Sequence, residues 1–83
     1  MDDGEIANKY REIGKNVARY RKEKKLSQLD LSLQLGHKSV SIVASAERFY
    51  KGKHFNIEHL LKISKILEIP IALFFEPSCV IDT

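Results

Sequence analysis

A chain of 83 residues with 43% hydrophobic and 30% charged side chains allows one domain with a small core and is too apolar for a disordered segment. It has no run of about 18 apolar residues to span a membrane, the start MDDGEIANKY lacks the apolar stretch of a secretory signal, and the single Cys79 offers no internal disulfide or metal cluster. The net charge of +3 conceals a division: residues 9–67 hold all 14 Lys and Arg against five acids (Glu12, Glu23, Asp30, Glu47, Glu58), a net of +9, between two acidic ends. Such a middle suits either a surface that meets a polyanion or a solvated helix face. The expectation is a cytoplasmic chain with no metal, no cofactor and no membrane contact.

Residues 1–8 are an acidic N-terminus expected to fray, residues 9–76 the domain proper and residues 77–83 a short tail. From Ile6, apolar residues recur at Tyr10, Ile13, Val17 and Tyr20 in steps of four and three, one stripe of a helix running to about Lys24. Ser27 followed by Asp30 is a capping-box pattern, with Leu26 and Leu31 placed as a hydrophobic staple. Gly36 suits the left-handed position that ends a short second helix, about 28–35. Ser39 is the expected cap of a third helix carrying Val43 and Ala46 on its inner face. Beyond a loop at 51–55, Asn56 caps a fourth helix, IEHLLKISKILE, with a predicted buried stripe of Ile57, Leu60, Leu61, Ser64 and Leu67 and with Ile63 beside it. Pro70 is placed to open a fifth helix to Phe75, which Pro77 stops. The reading is all-α, five helices, no strand.

Two short helices joined by a three-residue turn that begins with Gly36 describe a helix-turn-helix. Ser32, four before the glycine, is small enough for the close crossing, and Leu31, Leu35, Val43 and Ala46 close the wedge. The outer face of residues 40–48 is then free to enter a major groove. Tyr10 and Tyr20 belong to the core, whereas Ile71, Phe74 and Phe75 exceed what a five-residue helix can hide and read as core plus a dimer patch. His37 reads as a surface histidine of the turn, and His59 carries no signal. No paired carboxylates, Gly-rich phosphate loop or HExxH motif is present, so an enzyme is not expected.

These residues resemble the phage-repressor and Cro-like helix-turn-helix regulators of the xenobiotic-response-element type. The resemblance covers about Val17 to Phe75. It rests on L-S-Q at Leu26–Ser27–Gln28, L-S-x-x-L-G at Leu31–Gly36, Val43 with Ala46–Glu47, and IEHLLKISKILEIPIALFF. It implies a five-helix repressor-like DNA-binding domain with the motif at helices 2 and 3. Arg21 and Glu47 would form a structural ion pair. Val40, Ser41, Ile42 and Ser45 would face the bases. Gln28 would bond a phosphate, Ser39 would cap the recognition helix within reach of the backbone, and Lys51, Lys53, His54 and Asn56 would lie along the phosphates.

The chain departs from that family in three ways. The turn carries His37 and Lys38 where one residue is usual, and the loop between Glu47 and Asn56 is about two residues longer. The base-facing positions also lack Gln, Asn, Arg and Lys, the side chains that make bidentate contacts to guanine or adenine. Readout is therefore expected to lean on DNA shape, on a thymine methyl packed against Val40 or Ile42, on dimer spacing, and on Lys38 and Arg48 flanking the helix, one toward phosphate and the other toward bases. The expected function is sequence-preferring binding of double-stranded DNA by a homodimer that regulates transcription. The alternatives are an antitoxin or adaptor with a second protein, such as a toxin, as partner, or the controller of a restriction–modification operon.

Overall fold

Among residues 3–77, which the computed structural model describes, four α-helices and two 3-10 turns follow one another, with no strand. α1 spans Asp3–Glu23, α2 Gln28–Gln34, α3 Ser41–Arg48 and α4 Ile57–Leu67. The turns are Tyr50–Gly52 and Ile71–Phe75. α1 thus starts inside the stretch where fraying is predicted; Glu5 lies in its first turn, where the helix dipole favours a carboxylate. The tail reading at 78–83 and Cys79 lie outside the described residues.

Helix starts follow side-chain chemistry at α2 and α4. Ser27 and Asp30 close a reciprocal capping box, with Asp30 N–H to Ser27 Oγ and Ser27 N–H to Asp30 Oδ2 both at 2.9 Å. That backbone N–H, helped by the Ser27 hydroxyl, holds the Asp30 carboxyl below the usual carboxylate range. α3 corrects the expectation for Ser39. Its N-cap is Val40, which cannot cap, and the Ser39 hydroxyl instead meets Ser41 Oγ at 2.9 Å and the Ser41 N–H at 3.4 Å. The connection between α2 and α3 is accordingly residues 35–40 rather than a three-residue turn.

Three helices end on one motif, a left-handed residue followed by a backbone bond that reaches five residues back. At α1 Lys25 has φ 60° and Leu26 N–H donates to Arg21 C=O at 3.1 Å. At α2 Gly36 has φ 93° and His37 N–H donates to Ser32 C=O at 3.0 Å. At α4 Glu68 has φ 61° and Ile69 N–H donates to Ser64 C=O at 3.0 Å. Only Gly36 advertises its stop; Lys25 and Glu68 take the conformation at a cost of roughly 1–2 kcal/mol each. The fifth element is a 3-10 turn with Pro70 outside it (φ −65°, ψ 139°). The six residues between Pro70 and Pro77 are too few to sustain an α-helix of their own.

The core joins Ile13 and Val17 of α1, Leu31 and Leu35 of α2, Val43 and Ala46 of α3, and Leu60, Ile63 and Leu67 of α4 with Phe55 and Phe74. α4 therefore turns the 60, 63, 67 face inward. Ile57 and Leu61 are exposed and Ser64 is half-buried, because the fold is too small to cover both flanks. Phe75 is likewise exposed, while Ile71, Tyr10 and Tyr20 pack partly buried against the core. α1 and α3 touch through Gly14: a Cβ there would sit 2.6 Å from the carbonyl oxygens of Ala46 and Glu47. Buried Asn16 docks the final turn on α1, its Nδ2 donating to Phe74 C=O at 2.9 Å and Glu76 C=O at 2.7 Å.

Candidate nucleic-acid interface

The inner face of α3 is spent on the scaffold. Arg21 Nε donates to Glu47 Oε2 at 2.8 Å and Nη2 to Oε1 at 3.1 Å, while Nη1 donates to Leu26 C=O at 2.7 Å. Both side chains are buried, at 8% and 4% exposure, so the pair ties α1 to α3 beneath the outer surface. Gln28 joins it, its Nε2 donating to Glu47 Oε1 at 2.9 Å. One of its two amide N–H donors is thereby committed inside the protein, which leaves the other N–H and the amide oxygen uncommitted.

The outer face carries Val40, Ser41, Ile42 and Arg48, all exposed, and Ser45, half-buried. Neither Ser41 nor Ser45 is enclosed beneath other side chains. Lys38 is exposed in the connection before the helix. Between Leu31 and Ile57 the sequence holds Lys38, Arg48, Lys51 and Lys53 and a single carboxylate, Glu47, which the Arg21 pair buries. The solvent-facing charge of this whole segment is therefore positive. Composition already makes the segment +3, and burying its one acid raises the solvent-facing charge to +4.

The loop after α3 is held in an uncommon backbone. Phe49 (φ 55°), Lys51 (φ 51°) and Gly52 (φ 78°) are all left-handed, and two of the three carry a Cβ. Ring stacking over-determines the conformation. His54 lies on Tyr10 with centroids 3.8 Å apart and planes 16° apart, and Tyr10 stacks in turn near Phe49 at 5.9 Å. Arg11 caps Phe49 at 5.0 Å, and Arg48 and Lys51 each sit 5.4 Å from the Tyr50 ring centre. His54 Nδ1 is 3.0 Å from Gly52 C=O, which orients the ring. Lys51, Lys53 and His54 are exposed on this braced loop. Strain of this kind concentrates where a loop must be presented in one shape.

A groove of about 310 Å³ separates α3 from the loop, lined by Ile42, Ala46, Gly52, Lys53, His54 and His59. Asn56 caps α4: its Oδ1 accepts the His59 N–H at 2.7 Å and its backbone N–H donates to His59 Nδ1 at 3.2 Å, bonds that leave its side-chain Nδ2 uncommitted. His59 is thus the N3 member of a second capping box, a role the sequence reading missed. The Asn56-to-His59 spacing is the only signal, and the search pattern for such boxes asks for Glu or Gln. Burial, then the charge of His37, pushes the His59 imidazole below its ordinary pKa. His37 is corrected from surface to half-buried: its ring meets His59 edge-on at 5.9 Å and its Nε2 is buried without a hydrogen-bond partner.

Comparison with known proteins finds no matching family model, characterised protein or solved structure. The geometry accordingly bears the functional argument alone. It brings Val40, Ser41, Ile42, Ser45, Arg48, Lys51, Lys53 and His54 to one region of α3 and its following loop, turns Asn56 to capping and ties Gln28 to Glu47. Among the described residues no group of three or more His, Cys, Asp or Glu is arranged to hold a metal ion, and no helix is long and apolar enough to cross a membrane.

Proposed function

We propose that the protein is a cytoplasmic, non-enzymatic transcriptional regulator that binds double-stranded DNA as a homodimer. In this reading α2 and α3 form the helix-turn-helix of a repressor-like domain, and the turn Ile71–Phe75 stands where the family has its fifth helix. The observation that carries it is the exposed outer face of α3 beside a braced loop bearing Lys51, Lys53 and His54, in a segment whose one acid is buried. α3 enters the major groove, and Lys38, Lys51, Lys53 and His54 meet flanking phosphates. Two subunits address half-sites about 34–36 Å apart.

Fluorescence anisotropy across a salt series tests the reading. With about four phosphate contacts per subunit, log affinity should fall with a slope of roughly −3 to −4 per subunit against log salt. Lys51→Ala and Lys53→Ala should weaken all duplexes alike and each flatten the slope by about one. Affinity that ignores salt refutes it.

A second reading, a protein-interaction module such as an antitoxin or adaptor, draws on the exposed pairs Leu29 with Leu33 on α2 and Ile57 with Leu61 on α4, each one helical turn apart. An obligate second protein for any DNA shift would favour it.

A further inference from the structure

The outer surface of α3 breaks a local rule that its neighbours keep. α2 and α4 both begin with a side-chain cap, whereas α3 begins with Val40, a residue that cannot cap and is 37% exposed. Ile42, two residues on, is 40% exposed beside the 310 Å³ groove. The nearest polar groups are turned on each other: Ser39 and Ser41 share a hydroxyl–hydroxyl bond at 2.9 Å, and Ser39 Oγ also takes the Ser41 N–H. What this end of the helix offers a partner is two bare aliphatic side chains, with Lys38 just before them in the chain and Lys53 lining the groove beside Ile42. Departures from local preference concentrate where a surface serves a partner. The charge around them selects a polyanion, and the only aliphatic group on the major-groove edge of a base pair is the C5 methyl of a pyrimidine.

We infer that Val40 and Ile42 read C5-methyl groups, so that the preferred duplex carries a C5-methylated pyrimidine, thymine or 5-methylcytosine, under the start of α3. The inference rests on the DNA-binding reading above. It assigns discrimination to loss or gain of one methyl rather than to a hydrogen-bond pattern, and the serines become spacers that keep polar groups from competing with water at the contact.

The experiment starts from duplexes selected by the chain from a random pool and resynthesised with deoxyuridine for thymidine, which deletes the methyl and keeps every hydrogen-bonding group. Affinity is expected to drop about fourfold per contacted methyl, the fold-change that burial of one CH₂ group corresponds to. At the same position 5-methylcytosine should bind more tightly than cytosine by a similar factor if either methylated base is accepted, and equal binding of the two cytosines narrows the reading to thymine. In a Val40→Ala, Ile42→Ala double variant the thymidine-to-deoxyuridine ratio should approach one with the salt slope unchanged. Equal affinity for thymidine and deoxyuridine duplexes in the unaltered protein overturns methyl readout and leaves DNA binding standing. So does a ratio that persists in the double variant, since the methyl then acts through DNA shape. No shift of any duplex overturns both readings.

Discussion

Glu47→Ala is the sharpest test of how the scaffold supports α3. The substitution leaves Arg21 buried with Nε and Nη2 unpaired and removes the acceptor of Gln28 Nε2, while Nη1 keeps only the Leu26 carbonyl. Stripping one partner from a buried, hydrogen-bonded ion pair costs about 3–5 kcal/mol, because the remaining charge has lost its water and gained nothing. A chain of 83 residues is stable by about 4–12 kcal/mol in total, at roughly 0.05–0.15 kcal/mol per residue. In a domain this size each kcal/mol is worth about 4–8 °C, so the melting temperature should fall by roughly 12–40 °C. Circular dichroism melts measure it directly. Arg21→Met with Glu47→Leu, which removes both charges and keeps the volume, should recover most of the loss. A Glu47→Ala protein that melts within about 5 °C of the parent yet no longer binds DNA refutes the argument and moves the pair from scaffold to interface.

Three further outcomes follow from the packing. Gly14→Ala drives a Cβ to 2.6 Å from two α3 carbonyl oxygens, so despite a helix-propensity gain of about 1 kcal/mol it should destabilise by about 2–3 kcal/mol net in urea titrations. Ser32→Ala removes a fully buried hydroxyl that has no partner and should raise stability by about 1 kcal/mol, read as a shift in the urea midpoint. His59 has a folded-state pKa below its unfolded value, so the folded state takes up fewer protons. Its contribution is present above about pH 6.5 and is lost as pH falls through the unfolded and then the folded pKa. Melting temperature should therefore decline from pH 7 to pH 5, and His59→Gln, which keeps a cap acceptor without titrating, should flatten that decline.

Where local chemistry sufficed, the chain could be read directly. The Ser27–Asp30 box, the Gly36 stop, the Asn56 cap and the α1 stripe through Val17 each depend on neighbours within about one or two turns. Where the outcome depended on distant packing, the reading slipped. Ile57 and Leu61 fit the α4 period as well as Leu60 and Leu67 do, and only the position of the other helices decides which flank is covered. Lys25 and Glu68 end helices in a conformation their side chains do not announce. The candidate surface shows the same division: the basic residues were visible, but Gln28 turning inward, His59 serving as a cap and His54 lying on Tyr10 were not.

By itself, then, the amino-acid order determined an all-helical chain, the starts of α2 and α4, and a positive central segment, because capping, periodicity and charge act over a few residues. Tertiary structure alone decided that Gln28 joins the buried Arg21–Glu47 pair, that Val40 opens α3 uncapped, and that a ring stack braces the loop of Lys51 and Lys53. Each of these joins residues from separate helices or follows from how they pack, and whether a charge is hidden or displayed depends on which neighbour reaches it first.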